Sequence, residues 1–254
     1  MNNHMFTMKE KPLLVAKDHY LLKFEDFKEP SAPGQFINIR VSEGSDPLLR
    51  RPFSLFDHEQ GVISCVIRAV GKGTELLSQR EPGGIDILGP LGKGFTIRKG
   101  GRVLIAGGGV GNAPLYYLAR KLAGSGCDIT FIYGARSREY IYLPERYREA
   151  VGRLVITTDD GSEGTKGLVT DMASDLIGRE RFDMIYTCGP APMMKALAGI
   201  AGSTPIEVSV ENYFGCGIGL CSGCTIETAD GRKRACVDGP VFDGASIGWE
   251  TMPD

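Results

Sequence analysis

The chain has 254 residues, with 29 basic against 31 acidic side chains and a formal net charge of −2. That length exceeds one typical domain and buries roughly 70% or more of the unfolded surface, so stability needs no disulfide framework. The balanced charge leaves no basic footprint for nucleic acid, and no apolar run approaches the ~18 residues of a membrane-crossing helix.

Residues 1 to about 98 read as β-rich. Leu13–Ala16, Tyr20–Phe24, Gln35–Val41 and Val62–Ile67 are short apolar or alternating runs, punctuated by Pro33-Gly34 and Gln60-Gly61. That rhythm predicts a small antiparallel barrel with one helical stretch, Glu75 to Arg80. Lys9-Glu10-Lys11 is expected to be a solvated face.

From about residue 99 the period changes. Strands are expected at Arg102–Ala106, Ile129–Tyr133, Leu154–Thr157 and Met184–Thr187, with helices near 113–122, 170–176 and 192–201 between them. Alternating β and α elements imply a parallel sheet covered on both faces, with Ile206–Val210 as its last strand. The remainder, 212–254, is too small for much of an apolar core. The expected division is therefore 1–98, 99–211 and 212–254, packed as one body.

Glycine numbers 35, about twice its usual share of ~7%, which suggests places where backbone approaches a ligand closely. The run Gly107 to Gly111 ends a strand and opens a helix, the setting in which backbone N–H groups hold phosphate. Asn112 at its sixth position departs from G-x-G-x-x-G, and a plain tight turn is the alternative. Arg51-Pro52-Phe53-Ser54 offers a cation, a ring and a hydroxyl at the end of a barrel strand. Gly71-Lys72-Gly73-Thr74 precedes a helix and could face an anion, or form a turn capped by Thr74. Cys188-Gly189-Pro190 sits at the carboxyl edge of the sheet, where ligands of open α/β folds bind. Cys65 and Cys127 are expected in the core, and His4, His19 and His58 at the surface.

Four of the seven cysteines fall within 21 positions, Cys216, Cys221, Cys224 and Cys236, in the pattern C-x4-C-x2-C-x11-C. Four thiolates can hold an iron–sulfur cluster or a tetrahedral zinc. The first spacings match plant-type [2Fe–2S] ferredoxins, and the paired C-x2-C knuckles common in structural zinc sites are missing. Each of Cys216, Cys221 and Cys224 has a glycine within two positions, which suits a tight loop whose N–H groups approach sulfur. An odd cysteine count and the polar start Met1-Asn2-Asn3-His4-Met5 make a reducing cytoplasm the expected setting.

In this order the motifs resemble the ferredoxin–NADP reductase superfamily. Arg51-Pro52-Phe53-Ser54 is similar to its R-x-Y-S flavin motif, with Phe53 in place of tyrosine. Gly107 to Pro114 is similar to its G-G-G-x-G-x-A-P loop, and Cys188-Gly189-Pro190 with Met193 to its C-G-P-x-x-M motif. The appended cysteines narrow the resemblance to electron-transfer subunits of NAD-dependent dihydroorotate dehydrogenases, over about residues 10 to 245.

The resemblance implies a barrel that binds FAD, an α/β part that binds NAD and a C-terminal [2Fe–2S] segment. It implies that a separate FMN-containing catalytic subunit oxidises dihydroorotate to orotate in pyrimidine biosynthesis, in a heterotetramer of both subunits. Electrons would then pass through the cluster and FAD to NAD. By position, Arg51 would contact the FAD pyrophosphate and Ser54 the flavin, with Pro52 also at the cofactor and Phe53 packing on it. Ile67 and Arg68 would lie along the flavin, and Gly73 and Thr74 would close on the pyrophosphate. Gly108, Gly109 and Gly111 would hold the nicotinamide cofactor's phosphates, with Cys188 near its ring but not as a nucleophile. Arg136 and Arg138 leave NADP open beside NAD, with Asp159-Asp160 the nearest acidic pair. Diaphorase subunits of sulfide dehydrogenases, transhydrogenases, sulfite reductases and hydrogenases are the alternative, and a colourless zinc-stapled binding module is the third reading.

Overall fold

The computed structural model describes residues 4–252, so the expected polar start at Met1 to Asn3 lies outside the described residues. Eight strands form the first part: β1 (His4–Met8), β2 (Leu13–Ala16), β3 (His19–Phe24), β4 (Phe36–Ile39), β5 (Arg51–Ser54), β6 (Asp57–Glu59), β7 (Val62–Arg68) and β8 (Gly83–Leu91). They make two four-stranded antiparallel sheets, ordered β1-β8-β4-β5 and β2-β3-β7-β6. Their inward faces bury Phe6, Leu22, Phe24, Ile37, Ile63 and Ile85. The single helix α1 runs Lys72–Ser78, not 75–80. Thr74 therefore lies inside its first turn rather than at its cap. Its Oγ1 accepts from the amides of Val70 and Gly71 and donates to the Gly71 carbonyl.

The second part alternates as expected: β9 (Arg102–Gly108), α2 (Asn112–Gly124), β10 (Asp128–Ala135), α3 (Pro144–Ala150), β11 (Arg153–Thr158), β12 (Thr165–Lys166), α4 (Val169–Arg179), β13 (Met184–Cys188), α5 (Ala191–Ile200) and β14 (Ile206–Ser209). The strand run continues through Gly107 and Gly108 because both still pair with β10. Then come the hairpin β15 (Thr225–Thr228) and β16 (Gly231–Arg234), and β17 (Val241–Asp243).

The seven-stranded sheet is ordered β12-β11-β10-β9-β13-β14-β17 and is parallel up to β14. Here the structure corrects the sequence reading: β14 is not the sheet's edge. β17 returns from the cysteine segment and pairs with it antiparallel, Val208 opposite Phe242. Cys224, Ile226, Ala235, Cys236 and Ile247 accordingly share one core with Leu104, Ala106 and Leu197 of the parallel sheet.

The barrel joins the sheet through another shared core, in which Leu21, Phe56 and Val66 pack with Val103, Leu115 and Tyr116. Phe56 and Tyr116 stack at 4.5 Å. At the rim of that seam, Arg120 on α2 donates to both oxygens of Asp57, at 2.7 and 2.6 Å, and to Glu59. Tyr117 Oη donates to the Ser31 carbonyl at 3.1 Å.

Two residue expectations fail. Cys127 is only half-buried, its thiol donating to the carbonyls of Arg98 and Gly100, because it precedes β10 rather than lying within it. His19 is 2% exposed, since it shares with Leu21 the face of β3 that turns out of the barrel core toward the parallel sheet.

Gly134 on β10 faces α4, where a Cβ would overlap Val169 Cγ2 and stand 3.0 Å from the Gly107 carbonyl oxygen. Gly134→Ala should destabilise by about 1–3 kcal/mol. Thermal unfolding should register this as a Tm lower by about 2–12 °C.

Candidate functional site

The site begins at the carboxyl edge of the parallel sheet, where the segments after β9, β10, β11 and β13 line one cavity. The first loop follows β9. Gly109 takes φ +58°, a region that favours glycine, and then Gly111 opens α2. Asn112, the residue that breaks G-x-G-x-x-G, is fully buried, and its amide donates to the carbonyls of Gly109 at 2.8 Å and Gly134 at 3.1 Å. Tyr142 Oη donates to the Val110 carbonyl at 3.2 Å and Tyr147 Oη to that of Asn112 at 3.1 Å. Burial holds both phenols well above their usual range, so they remain donors. Gly111 is as close as backbone permits: a Cβ there would stand 2.6 Å from the Cys188 carbonyl oxygen.

This loop walls a cavity of about 540 Å³. Gly108, Gly109, Arg136, Asp159, Pro190 and Met193 line it from the sheet side. His19 and Arg68 close it from the barrel. Gly111 and Cys188 lie beneath the wall, not on it; Cys188 is 2% exposed and burial pushes its thiol up.

A second cleft, about 380 Å³, opens between the barrel and the sheet. Pro52, Phe53, Ser54, Ile67, Arg68 and Thr74 line its barrel side, and Val110, Pro114, Glu211 and Phe214 its other side. Arg51 and Gly73 stand behind it: a Cβ on Gly73 would stand 2.8 Å from Arg51 Nε, so glycine lets α1 settle on the guanidinium. Arg68 and Val110 line both spaces, so the cavity and the cleft share one wall.

The third element is the cysteine loop. Cys216 Sγ accepts from the amides of Leu220 at 3.2 Å, Cys221 at 3.4 Å and Ile218 at 3.5 Å. Burial alone would raise that thiol, but these amides and the Cys221 thiol outweigh it and lower it to about 6. Cys221 Sγ accepts from Gly223 and Cys224 Sγ from the Cys236 amide. Cys236 is pushed up to about 12 by burial and by the adjoining Cys224 sulfur. The backbone hydrogen bonds join the cysteines as two pairs, the Cys221 amide to Cys216 Sγ and the Cys236 amide to Cys224 Sγ, each at 3.4 Å. Among the described residues no three such ligands close around a single ion. Two pairs with amides aimed at sulfur fit a two-iron cluster better than one tetrahedral zinc.

Sequence reasoning missed His19, Glu211 and Asn112. His19 Nδ1 donates to the Lys17 carbonyl at 2.6 Å, its ring stacks on Tyr142 at 5.3 Å, and burial lowers its pKa, which keeps it neutral. The alternation of β3 puts it on the face of Leu21, a signal available from the chain. Glu211 is accessible at the mouth of the cleft yet walled by protein, and that desolvation raises its carboxyl. Its position just after the last parallel strand was the signal.

A barrel and a parallel sheet with this shared wall define an oxidoreductase of the ferredoxin–NADP reductase superfamily. The likeness to phthalate dioxygenase reductase is one of fold, at TM-score 0.68 and 17% identity over 89% of this chain and 87% of that one. An NADH-dependent reduced ferredoxin–NADP oxidoreductase is nearer, with TM-score 0.89 and 34% identity over 99% of this chain and 93% of that one. Residues 104–199 match an oxidoreductase NAD-binding domain, and 211–248 the iron-sulfur cluster binding domain of dihydroorotate dehydrogenase B. The dihydroorotate dehydrogenase B (NAD(+)) electron transfer subunit of Desulforamulus reducens is 39% identical over 93% of this chain and 95% of its own. That of Bacillus caldolyticus is 41% identical over 92% and 94%. The chain belongs to this family of electron transfer subunits.

Reactive thiols are exposed thiolates, so native protein treated with iodoacetamide at pH 8 should leave Cys65 and Cys188 unmodified. Both should label once the chain is denatured, a difference that peptide mass spectrometry resolves. Native alkylation of Cys188 at the denatured rate would contradict its burial.

Proposed function

We propose that this chain carries electrons from a dihydroorotate-oxidising catalytic subunit to NAD in pyrimidine biosynthesis, using a [2Fe–2S] cluster and FAD. The observation that carries the reading is the adjacency of its three sites. The cavity meets the cleft at Arg68 and Val110, and Phe36 of the cleft packs on Phe214, at 5.0 Å between rings, next to the cysteine loop. Membership in the family supplies the partner: an electron transfer subunit implies a catalytic one. We assign that partner its own FMN and the assembly two copies of each subunit, in the cytoplasm. No helix among the described residues is long and apolar enough to cross a membrane.

In the proposed division, residues 1–98 bind FAD, 99–211 NAD and 212–254 the cluster. Phe53, Ser54 and Ile67 would hold the flavin, with Pro52 bordering it and Arg51, Gly73 and Thr74 toward the pyrophosphate. Arg68 would place a positive charge between the two cofactor spaces. Gly108 and Gly109, with Gly111 setting the loop on Cys188, would present amides and the α2 N-terminus to the dinucleotide's phosphates. Cys188 would stay a protonated thiol behind the nicotinamide, consistent with its burial. Cys216, Cys221, Cys224 and Cys236 would ligate the cluster. When bound, a flavin exchanges electrons singly with a cluster and in pairs, as hydride, with nicotinamide. The protein's contribution is to fix these spaces and keep them dry. Tyr213, Leu220 and Val237, exposed around the cysteine loop at 75%, 78% and 36%, are the proposed partner-facing surface.

Anaerobically purified protein should contain about two irons, two sulfides and one FAD per chain. Zinc without flavin would end the reading and restore the binding-module alternative. Dihydroorotate-dependent NAD reduction should appear with the co-purified FMN subunit. A large iron–sulfur partner instead would favour the diaphorase alternative.

Cys224→Ser should lower electron transfer to the partner by about 10-fold or more, while NADH-to-dye activity survives better. If both fall together with FAD still bound, the electron order is wrong.

For NAD over NADP, Asp159 lines the cavity with no ion pair among the described residues, whereas Asp160 is held by Ser162 and Arg138 by Glu163. A carboxylate there accepts from a ribose 2′-OH and repels a 2′-phosphate. The kcat/KM ratio of NADH to NADPH should exceed one. Asp159→Asn should cut it about tenfold, because the repulsion of a 2′-phosphate is removed where Arg136 also lines the cavity.

A further inference from the structure

Asn38 is 1% exposed on a barrel strand whose other residues, Phe36, Ile37 and Ile39, are buried and apolar, and it shares with Phe36 the face opposite the barrel core. A buried amide there is unfavourable unless its groups are paired. Among the described residues its Oδ1 has no donor, and its Nδ2 donates to the carbonyl oxygen of Cys216 at 3.3 Å. Asn38 and Cys216 are 178 positions apart. The strand therefore buries a polar side chain, on its face outside the barrel core, against the cysteine loop.

The surroundings are arranged for that contact. Gly217 takes φ +71°, and a Cβ there would stand 2.6 Å from Asn38 Nδ2, so only glycine admits the amide. Pro52 faces Asn38 on β5 and has no N–H to offer; Arg50 Nη1 reaches the Asn38 carbonyl instead, at 3.4 Å, while Nη2 is fixed to Asp86 at 2.6 Å. Phe36, two residues earlier, lines the cleft, packs on Phe214 and comes within 3.8 Å of where a Gly217 Cβ would be. The peptide held by Asn38 is the root of the loop whose amides converge on Cys216 Sγ.

We propose that Asn38 is a positioning residue: its amide latches the Cys216 peptide to the barrel strand that borders the flavin cleft, and so sets the cluster loop's geometry and its spacing from the flavin. The inference rests on the cluster and FAD assignment above. It gives Asn38 no contact with either group and no part in binding the dinucleotide. Outer supports of this kind change metal-site affinity by about 10- to 100-fold when removed.

Asn38→Thr keeps a strand-forming residue whose short hydroxyl cannot span to Cys216, and Asn38→Leu keeps the volume without polar atoms. Both are compared with wild type as holoprotein. The expected result is unchanged FAD content and NADH-to-dye activity within about twofold. Iron should be lost to a chelator about 10-fold faster or more, and the EPR spectrum of the reduced cluster should be broadened or shifted. Wild-type iron lability and EPR spectrum in both variants would overturn the inference. So would a parallel loss of FAD and dye activity, which would make Asn38 a support of the barrel alone. Wild-type protein without iron would instead sink the cluster assignment, a failure distinguishable from either.

Discussion

The structure depends on the burial of a single seam between barrel and parallel sheet. Phe56 and Val66 on one side and Leu115 and Tyr116 on the other belong to one continuous core, with no separate apolar face that could part without exposing it. Apolar burial is non-directional, so it supplies cohesion but not register. Register comes from the polar rim, where the Arg120 guanidinium meets Asp57 and Glu59. Asp57 is largely covered, so breaking that pair would strand a poorly solvated charge. A seam of this kind holds two cofactor spaces at one separation, which the shared Arg68 and Val110 wall requires.

Around that seam the polar chemistry is local. The glycine loop after β9 gains close approach at the expense of stiffness, and buried side chains restore the stiffness: Asn112, Tyr142 and Tyr147 each fix a backbone carbonyl of the loop or of the helix it opens. Raised phenol pKa values follow from the same burial. The carbonyls of Gly109, Val110 and Asn112 are thus satisfied by side chains, which fixes the course of the loop.

The cysteine segment solves a different problem. It has no core of its own and borrows one, through β17 beside β14 and through Cys224, Ile226 and Cys236 in the sheet's apolar cluster. Amides directed at Cys216 favour its thiolate, while Cys236 stays protonated between burial and Cys224. Such a segment gains most when a positive metal centre replaces the protons.

Much of this was legible in the chain. Alternation in β3 and β7, the change of period near residue 99 and the order of the glycine and cysteine motifs are local properties, so sequence alone determined the element types, the succession of barrel and parallel sheet and the candidate ligands. Boundaries moved where pairing extended a strand, as at Gly107 and Gly108. Periodicity states which side a residue faces, but not what stands opposite. His19 against Tyr142, β17 against β14, Arg68 between two cavities and Asn38 under Cys216 are contacts between segments tens to hundreds of positions apart. Only the tertiary structure decided them, because packing a shared core fixes which faces meet, and a hydrogen bond exists only once both ends are held in place.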